Sequence, residues 1–337
     1  NDGGFGPDSE DIIKCGSWDS VQDQAVTVNL GFEPQFVMVK RSDGTGDWRV
    51  FDNMRGLTMG DDAELEWNTS DAEVTSADRL DPTATGFSST LANGSSGNTH
   101  IYMAIRRGGM RTPTAASDVF STKLQNAGGT YTKTTGFVAD MILQASRDTT
   151  LVKRPYDRLR GGTKYLETSN DSAEASGGTM QFDNNTGYTG VTSLNTVDWV
   201  WKRARSYFDV VAYTGTGSAR TLSHNLGVAP EMIWIKRRDS TRDWATGFGS
   251  LGWTKRGPAL NSNEQAYTVS TWWNDTAPTS SVFTVGSSAT TNQSGGNYIA
   301  YLFATVAGVS KVGSFTQSGA TNVACGFTGS TPALIIL

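Results

Sequence analysis

From Gln35 to Arg41 the chain reads QFVMVKR, a run of Phe, Val and Met that closes on two positive charges. Ser42 to Gly46 is polar and small, and a second apolar run extends from Trp48 to Asp52. The pattern predicts two strands joined by a turn, with Asp43-Gly44 supplying turn chemistry because glycine enters positive φ without a steric cost. Similar short runs occupy Ile12 to Trp18, His100 to Arg106, Val197 to Arg203, Tyr207 to Tyr213, Tyr298 to Thr305 and Ser310 to Phe315. No segment carries a capped apolar repeat of helical period, so short strands joined by many turns are expected throughout.

The hairpin recurs. Gly31 to Gly56 (GFEPQFVMVKRSDGTGDWRVFDNMRG) aligns without a gap to Gly227 to Gly252 (GVAPEMIWIKRRDSTRDWATGFGSLG), 196 residues further on. Gly31, Asp43, Asp47, Trp48 and Gly56 reappear as Gly227, Asp239, Asp243, Trp244 and Gly252. A third copy, Gly136 to Gly161, lies 105 residues after the first; it keeps Gly136, Asp148 and Gly161 but places Val152 and Lys153 where the Asp-Trp pair stands. Gly326-Phe327 opens what reads as a fourth copy. Units of roughly 90–105 residues far exceed solenoid repeats and match small domains. The predicted fold is all-β, a string of tandem β-sandwich-like domains. Their expected limits are 1–110, a degenerate 111–205, 206–307 and the start of a truncated fourth repeat at 308–337.

Composition narrows the function. A net charge of −5, with basic residues scattered in pairs such as Lys40-Arg41 and Arg106-Arg107, gives no positive stripe for nucleic acid. Two Cys (Cys15, Cys325) and two His (His100, His224) leave no zinc or disulfide framework, so no metal and no cofactor are expected. The longest apolar stretch, Tyr298 to Val309, falls short of the ~20 residues that cross a bilayer, and no membrane insertion is predicted. The chain begins without Met and ends within an apolar run, which reads as part of something longer.

The segments IYMAIRR, IKRRDSTRDW, CGF and YIAYLFATVAGVSKVGSFTQSG are similar to repeat domains of virion structural and tail-fibre-like proteins of marine bacteriophages, especially cyanophage-type viruses. The resemblance covers nearly the whole chain and is weakest between Arg111 and Arg205. It implies a virion structural protein at the surface or on an appendage, assembled in the host cytoplasm, and it carries no active site. Host attachment through a tail fibre is the leading expectation. A capsid-surface decoration protein and a glycan-degrading depolymerase are the alternatives. The implied partners are other virion proteins, host-surface glycan, and further copies of the chain in a homo-oligomer, with a trimer the first form to test.

Few residues stand out as sites. The Asp-Trp pairs suit either a sugar platform or a hairpin in which Trp covers the turn and Asp caps its amides; recurrence with the fold favours the second. On that reading Trp48 is buried and its removal costs ~3–5 kcal/mol. Trp253, Trp272 and Trp273 belong to no recurring pattern and are candidate glycan or partner contacts, with Tyr298 a candidate inter-chain contact. If the segment is extended, Trp272 and Trp273 face opposite ways. Asp61, Asp62, Glu64 and Glu66 read as a solvated polar loop rather than a catalytic pair. No catalytic residue is predicted.

Overall fold

In the computed structural model, which describes residues 12–91, 94–108, 110–327 and 332–337, alternation of side chains builds the first repeat. Its strands are β1 (Ile13–Asp19), β2 (Val26–Asn29), β3 (Pro34–Arg41), β4 (Arg49–Asp52), β5 (Asp62–Glu66), β6 (Val74–Ala77), β7 (Leu80–Thr83), β8 (Gly86–Ser89) and β9 (Thr99–Arg106). An antiparallel sheet runs β1-β9-β3-β4-β5-β6, and a smaller one runs β2-β8-β7. Val37, Val39, Tyr102 and Ala104 point inward to meet Val28 and Phe87 in one core. Trp18 stacks on His100 at 5.1 Å within it. The residues between them on β1, β3 and β9 point to the other face of the sheet, as the pleat requires.

The second repeat comprises β10 (Phe120–Gln125), β11 (Gly129–Thr134), β12 (Met141–Ser146), β13 (Arg154–Asp157), β14 (Lys164–Tyr165), β15 (Ala175–Ser176), β16 (Gly187–Thr192) and β17 (Thr196–Trp201). Its main sheet is β10-β17-β12-β13, faced by the β11-β16 pair, with β14-β15 as a separate small hairpin. Ile142, Tyr156, Tyr188 and Val200 are among its core residues.

The third repeat comprises β18 (Phe208–Thr214), β19 (Arg220–Ser223), β20 (Met232–Arg237), β21 (Ala245–Phe248), β22 (Lys255–Arg256), β23 (Tyr267–Thr268), α1 (Ser270–Trp273), β24 (Val282–Val285), α2 (Ala289–Asn292) and β25 (Asn297–Phe303). Its sheets are β18-β25-β20-β21, β19-β24 and β22-β23. Ile233, Ile235, Phe283 and Leu302 lie in its core.

The three repeats share one topology, with the closing strand inserted between the first strand and the hairpin. Their hairpins keep identical register. Phe36 pairs with Asp52, Met141 with Asp157, and Met232 with Phe248, positions related by the same offsets of 105 and 196 that align the sequences. Glycine is required at both ends of the hairpin. Gly31, Gly136 and Gly227 have φ of 80°, 86° and 77°, while Gly56, Gly161 and Gly252 have 129°, 77° and 76°. The all-β expectation and the repeat are therefore facts of the fold.

By packing, the described chain forms two compact units: the first repeat together with Arg158–Gly161, and the second and third repeats together. Two expectations need correction. No strand forms at Ser310–Phe315, where an isolated bridge from Val306 to Ser310 is followed by irregular chain. In the other repeats the first strand is held by a closing strand, and none is present among the described residues after Ser310. Secondly, Ser270–Trp273 is not extended but a single helical turn, ended by Asn274 in the left-handed conformation.

Candidate functional site

The repeat-defining residues converge at the hairpin, where two polar devices hold the turn. In the first, a carboxylate neutralises the arginine that ends the leading strand. The Arg41 Nε donates to Asp43 Oδ1 at 2.8 Å, and Arg237 Nε donates to Asp239 Oδ1 at 2.9 Å. The arginine beside each aspartate holds its carboxyl below the ordinary range. The degenerate copy has Ser146 in place of the arginine. Its hydroxyl accepts from the N–H of Asp148 at 3.3 Å, and Asn195 donates to the Asp148 carboxylate.

The second device explains the Asp-Trp pair. Asn68 accepts from the backbone N–H of Trp48 at 2.7 Å through Oδ1, while its Nδ2 donates to Asp47 Oδ1 at 2.8 Å. Asn261 repeats the clamp, accepting from Trp244 N–H at 2.9 Å and donating to Asp243 at 2.8 Å. Aspartate thus does not cap the turn's amides itself; it orients the asparagine that does. Sequence alignment missed Asn68 and Asn261 because the loops before them differ in length, 20 residues from Trp48 against 17 from Trp244. In the middle copy Ser169 stands opposite Asn68 in the LEWNTSDAE/LETSNDSAE match, so both halves of the clamp are absent together. That repeat has a different polar centre. Tyr131 and Tyr188 donate to the Asp198 carboxylate at 2.9 and 2.7 Å, and Gln144 donates to its other oxygen at 3.1 Å. Burial raises the Asp198 carboxyl above its ordinary range, against the pull of these donors.

The two clamp tryptophans differ in setting. Trp244 is fully buried, stacked on Tyr301 with centroids 6.3 Å apart, and its Nε1–H donates to the Glu167 carbonyl at 2.8 Å. Trp48 is only half-buried, which corrects the expectation of a wholly enclosed ring.

The unrepeated aromatics do not form a surface platform. Trp272 and Trp273 are 6% and 1% exposed and belong to the third core, because a helical turn tucks both rings inward where a strand would have split them. Trp253 is half-buried and meets Trp273 edge-on at 5.4 Å. Tyr298 is buried, stacked on Tyr213 at 5.1 Å, and its hydroxyl donates to the Ala289 carbonyl at 2.7 Å. As folded, Trp272, Trp273 and Tyr298 are closed to glycan and to partner chains.

The acidic stretch is also not a solvated loop, since Asp62, Glu64 and Glu66 lie inside β5 and the first two of them are buried. Asp62 is fully buried and accepts backbone N–H groups of Thr58, Arg79 and Leu80 at 3.2, 2.9 and 2.8 Å. Burial nevertheless outweighs these donors and raises its carboxyl to about 7. Glu64 is buried between Arg49 at 3.1 Å and Arg79 at 3.6 Å. Each of these carboxylates is committed to structural donors. Among the described residues no three His, Cys, Asp or Glu side chains gather as a metal-holding group, and no helix is long and apolar enough to cross a membrane.

The chain matches the family described as a domain of unknown function, DUF7483, over residues 11–107 and 115–337, and it belongs to that family. A comparison with curated proteins returned no match.

Proposed function

We propose that this DUF7483 chain is a non-enzymatic structural segment of a bacteriophage virion, carried on a tail fibre or similar appendage and serving host attachment. One observation carries the reading: the side chains that recur between repeats are consumed in holding hairpins. Asp43 and Asp239 bind arginines, and Asp47 and Asp243 orient asparagines. Repetition here multiplies a scaffold, as a spacer or surface module needs, and the sequence resemblance to phage virion repeats supplies the setting. Fold alone does not assign function. The experiment is gold-labelled antibody against this chain, applied to intact parent particles and viewed by electron microscopy. Label on fibres or appendages is expected. Label spread over the shell would favour capsid decoration instead. Purified chain should also compete with particles for adsorption to host cells without releasing glycan fragments; release would turn the reading to a depolymerase.

A further inference from the structure

The main sheets of the first and third repeats offer a position-by-position comparison of their outer faces. In the first repeat, Cys15 pairs with Met103, and Met103 with Met38. In the third, Val210 pairs with Tyr301, and Tyr301 with Trp234. By the same registers Ile13 corresponds to Phe208 and Ile101 to Ile299. Ile13 and Ile101 are 50% and 38% exposed, whereas Phe208 and Ile299 are both 0%. Cys15 is exposed and Met103 half-buried; Val210 and Tyr301 are buried. One face is open and its equivalent is sealed.

What seals the third repeat's face is the second repeat, through Asp157 and the segment from Gly162 to Glu174 that carries β14. Tyr301 donates its hydroxyl to Asp157 at 2.6 Å, and Lys236 Nζ donates to the Asp171 carbonyl at 3.2 Å. The Trp244 indole bonds Glu167, as described above, and the Glu174 carboxylate grips Arg238 through two bonds of 3.0 Å. This is an arm-on-face contact between neighbouring repeats. The donor residues of that face recur in the first repeat, where Lys40 and Trp48 stand at the positions of Lys236 and Trp244, both half-buried.

The arm also recurs. In the second repeat Arg154 of β13 lies over the ring of Tyr165 of β14, 4.3 Å from its centroid. In the third, Arg256 lies over Tyr267 at 4.0 Å, at the β22-β23 hairpin, and Tyr267 is 48% exposed. Complementarity favours joining these two free ends. The second repeat places Asp157 against a tyrosine hydroxyl, while the third has Phe248 at that position and the first has Met103 in place of the tyrosine. Apolar would meet apolar.

We infer that the open face of the first repeat, on β1, β9 and β3, is a docking surface for the third-repeat arm of a second copy of this chain. The contact repeats the internal one and is heterologous, head to tail, so copies join in a line or a ring rather than face to face. The inference stands on the fold alone and is independent of the virion reading, since it is tested on purified chain.

Sedimentation of the full chain over a range of concentrations tests it. Concentration-dependent association is expected. Met103→Lys places a charge on a half-open position of the face, and Tyr267→Asp alters a half-exposed position of the arm. Each variant alone should sediment as a monomer with its circular dichroism unchanged. Mixed together they should form a dimer and stop there, because each supplies the one surface the other lacks. A wild-type chain that stays monomeric, association that survives Met103→Lys, or a mixture that remains monomeric would each overturn the inference.

Discussion

Trp48 and Trp244 occupy one position of the repeat in two environments, and removing each ring measures what the environment contributes. A fully buried tryptophan withdraws roughly 150–250 Å² from water, which at ~25 cal/mol per Å² amounts to about 4–6 kcal/mol. Measured tryptophan-to-alanine losses in cores, ~3–5 kcal/mol, agree with that range. Trp244→Ala also leaves the Glu167 carbonyl without its indole donor, adding about 1 kcal/mol. The expected loss for Trp244→Ala is therefore ~4–6 kcal/mol, taken from the unit that holds the second and third repeats. Trp48 is half-buried, so Trp48→Ala should cost about 2 kcal/mol, taken from the first unit. Urea denaturation followed by circular dichroism reads both, with the midpoint shift multiplied by the slope giving the loss. Equal losses at the two positions would refute the reasoning, because the repeat position, and not burial, would then set the energy.

Asn261→Ala should cost ~1–3 kcal/mol by orphaning the Trp244 amide, and adding Asp243→Ala should cost little more, since both act through one clamp; additive losses in a double-mutant cycle would count against the clamp. Asp62 holds its proton up to about pH 7 in the fold and ionises near 4 when unfolded, so the folded state binds the extra proton in that window. Its contribution is complete below pH ~4 and is lost as pH rises to 7, by about 1.4 kcal/mol per pH unit. Stability of the first unit, measured against Asp62→Asn, should accordingly fall between pH 4 and 7; a difference that grows the other way would refute the assignment. Gly187→Ala should destabilise by ~3 kcal/mol, because its Cβ would stand 1.9 Å from the Lys133 carbonyl oxygen, while Gly313→Ala, with only a distant lysine side chain nearby, should leave the midpoint unchanged.

Much of the fold was legible because it rests on local demands. Gly31, Gly56 and their equivalents sit at positive φ in every repeat, a requirement of the backbone that survives when neighbouring side chains change. The strands Pro34–Arg41 and Thr99–Arg106 fall within a residue of the apolar runs that announced them. Contacts across variable loops were not legible. The partner of the Asp-Trp pair lies in a loop whose length changes, so a gapless comparison passes over Asn68 and Asn261. Asp62 looked solvated among Asp61, Glu64 and Glu66 because composition does not tell which carboxylates enter a strand. The helical turn at Trp272-Trp273 is too short to show a period, and only packing into the third core distinguishes it from a strand.

One signal was present in the chain but needed the fold to interpret it. Strand β25 reads NYIAYLF, apolar at nearly every position, which is the pattern of a strand buried on both faces. The structure gives it two buried faces, one in its own core and one under the second repeat. Strand β9 reads THIYMAIR and is nearly as apolar through its middle, yet a strand with one face toward water ordinarily alternates apolar with polar residues. Ile101, Met103 and Ile105 break that alternation on the outer side, where β9 has no covering repeat within the first unit. A lone exposed isoleucine would need no explanation, but exposed Ile101 with half-buried Met103 and Ile105 on one face of one strand, beside exposed Ile13, makes a contiguous apolar surface. The composition of β9 is thus that of an interior strand. The equivalence with β25 identifies the kind of neighbour it is suited to: the arm of another repeat.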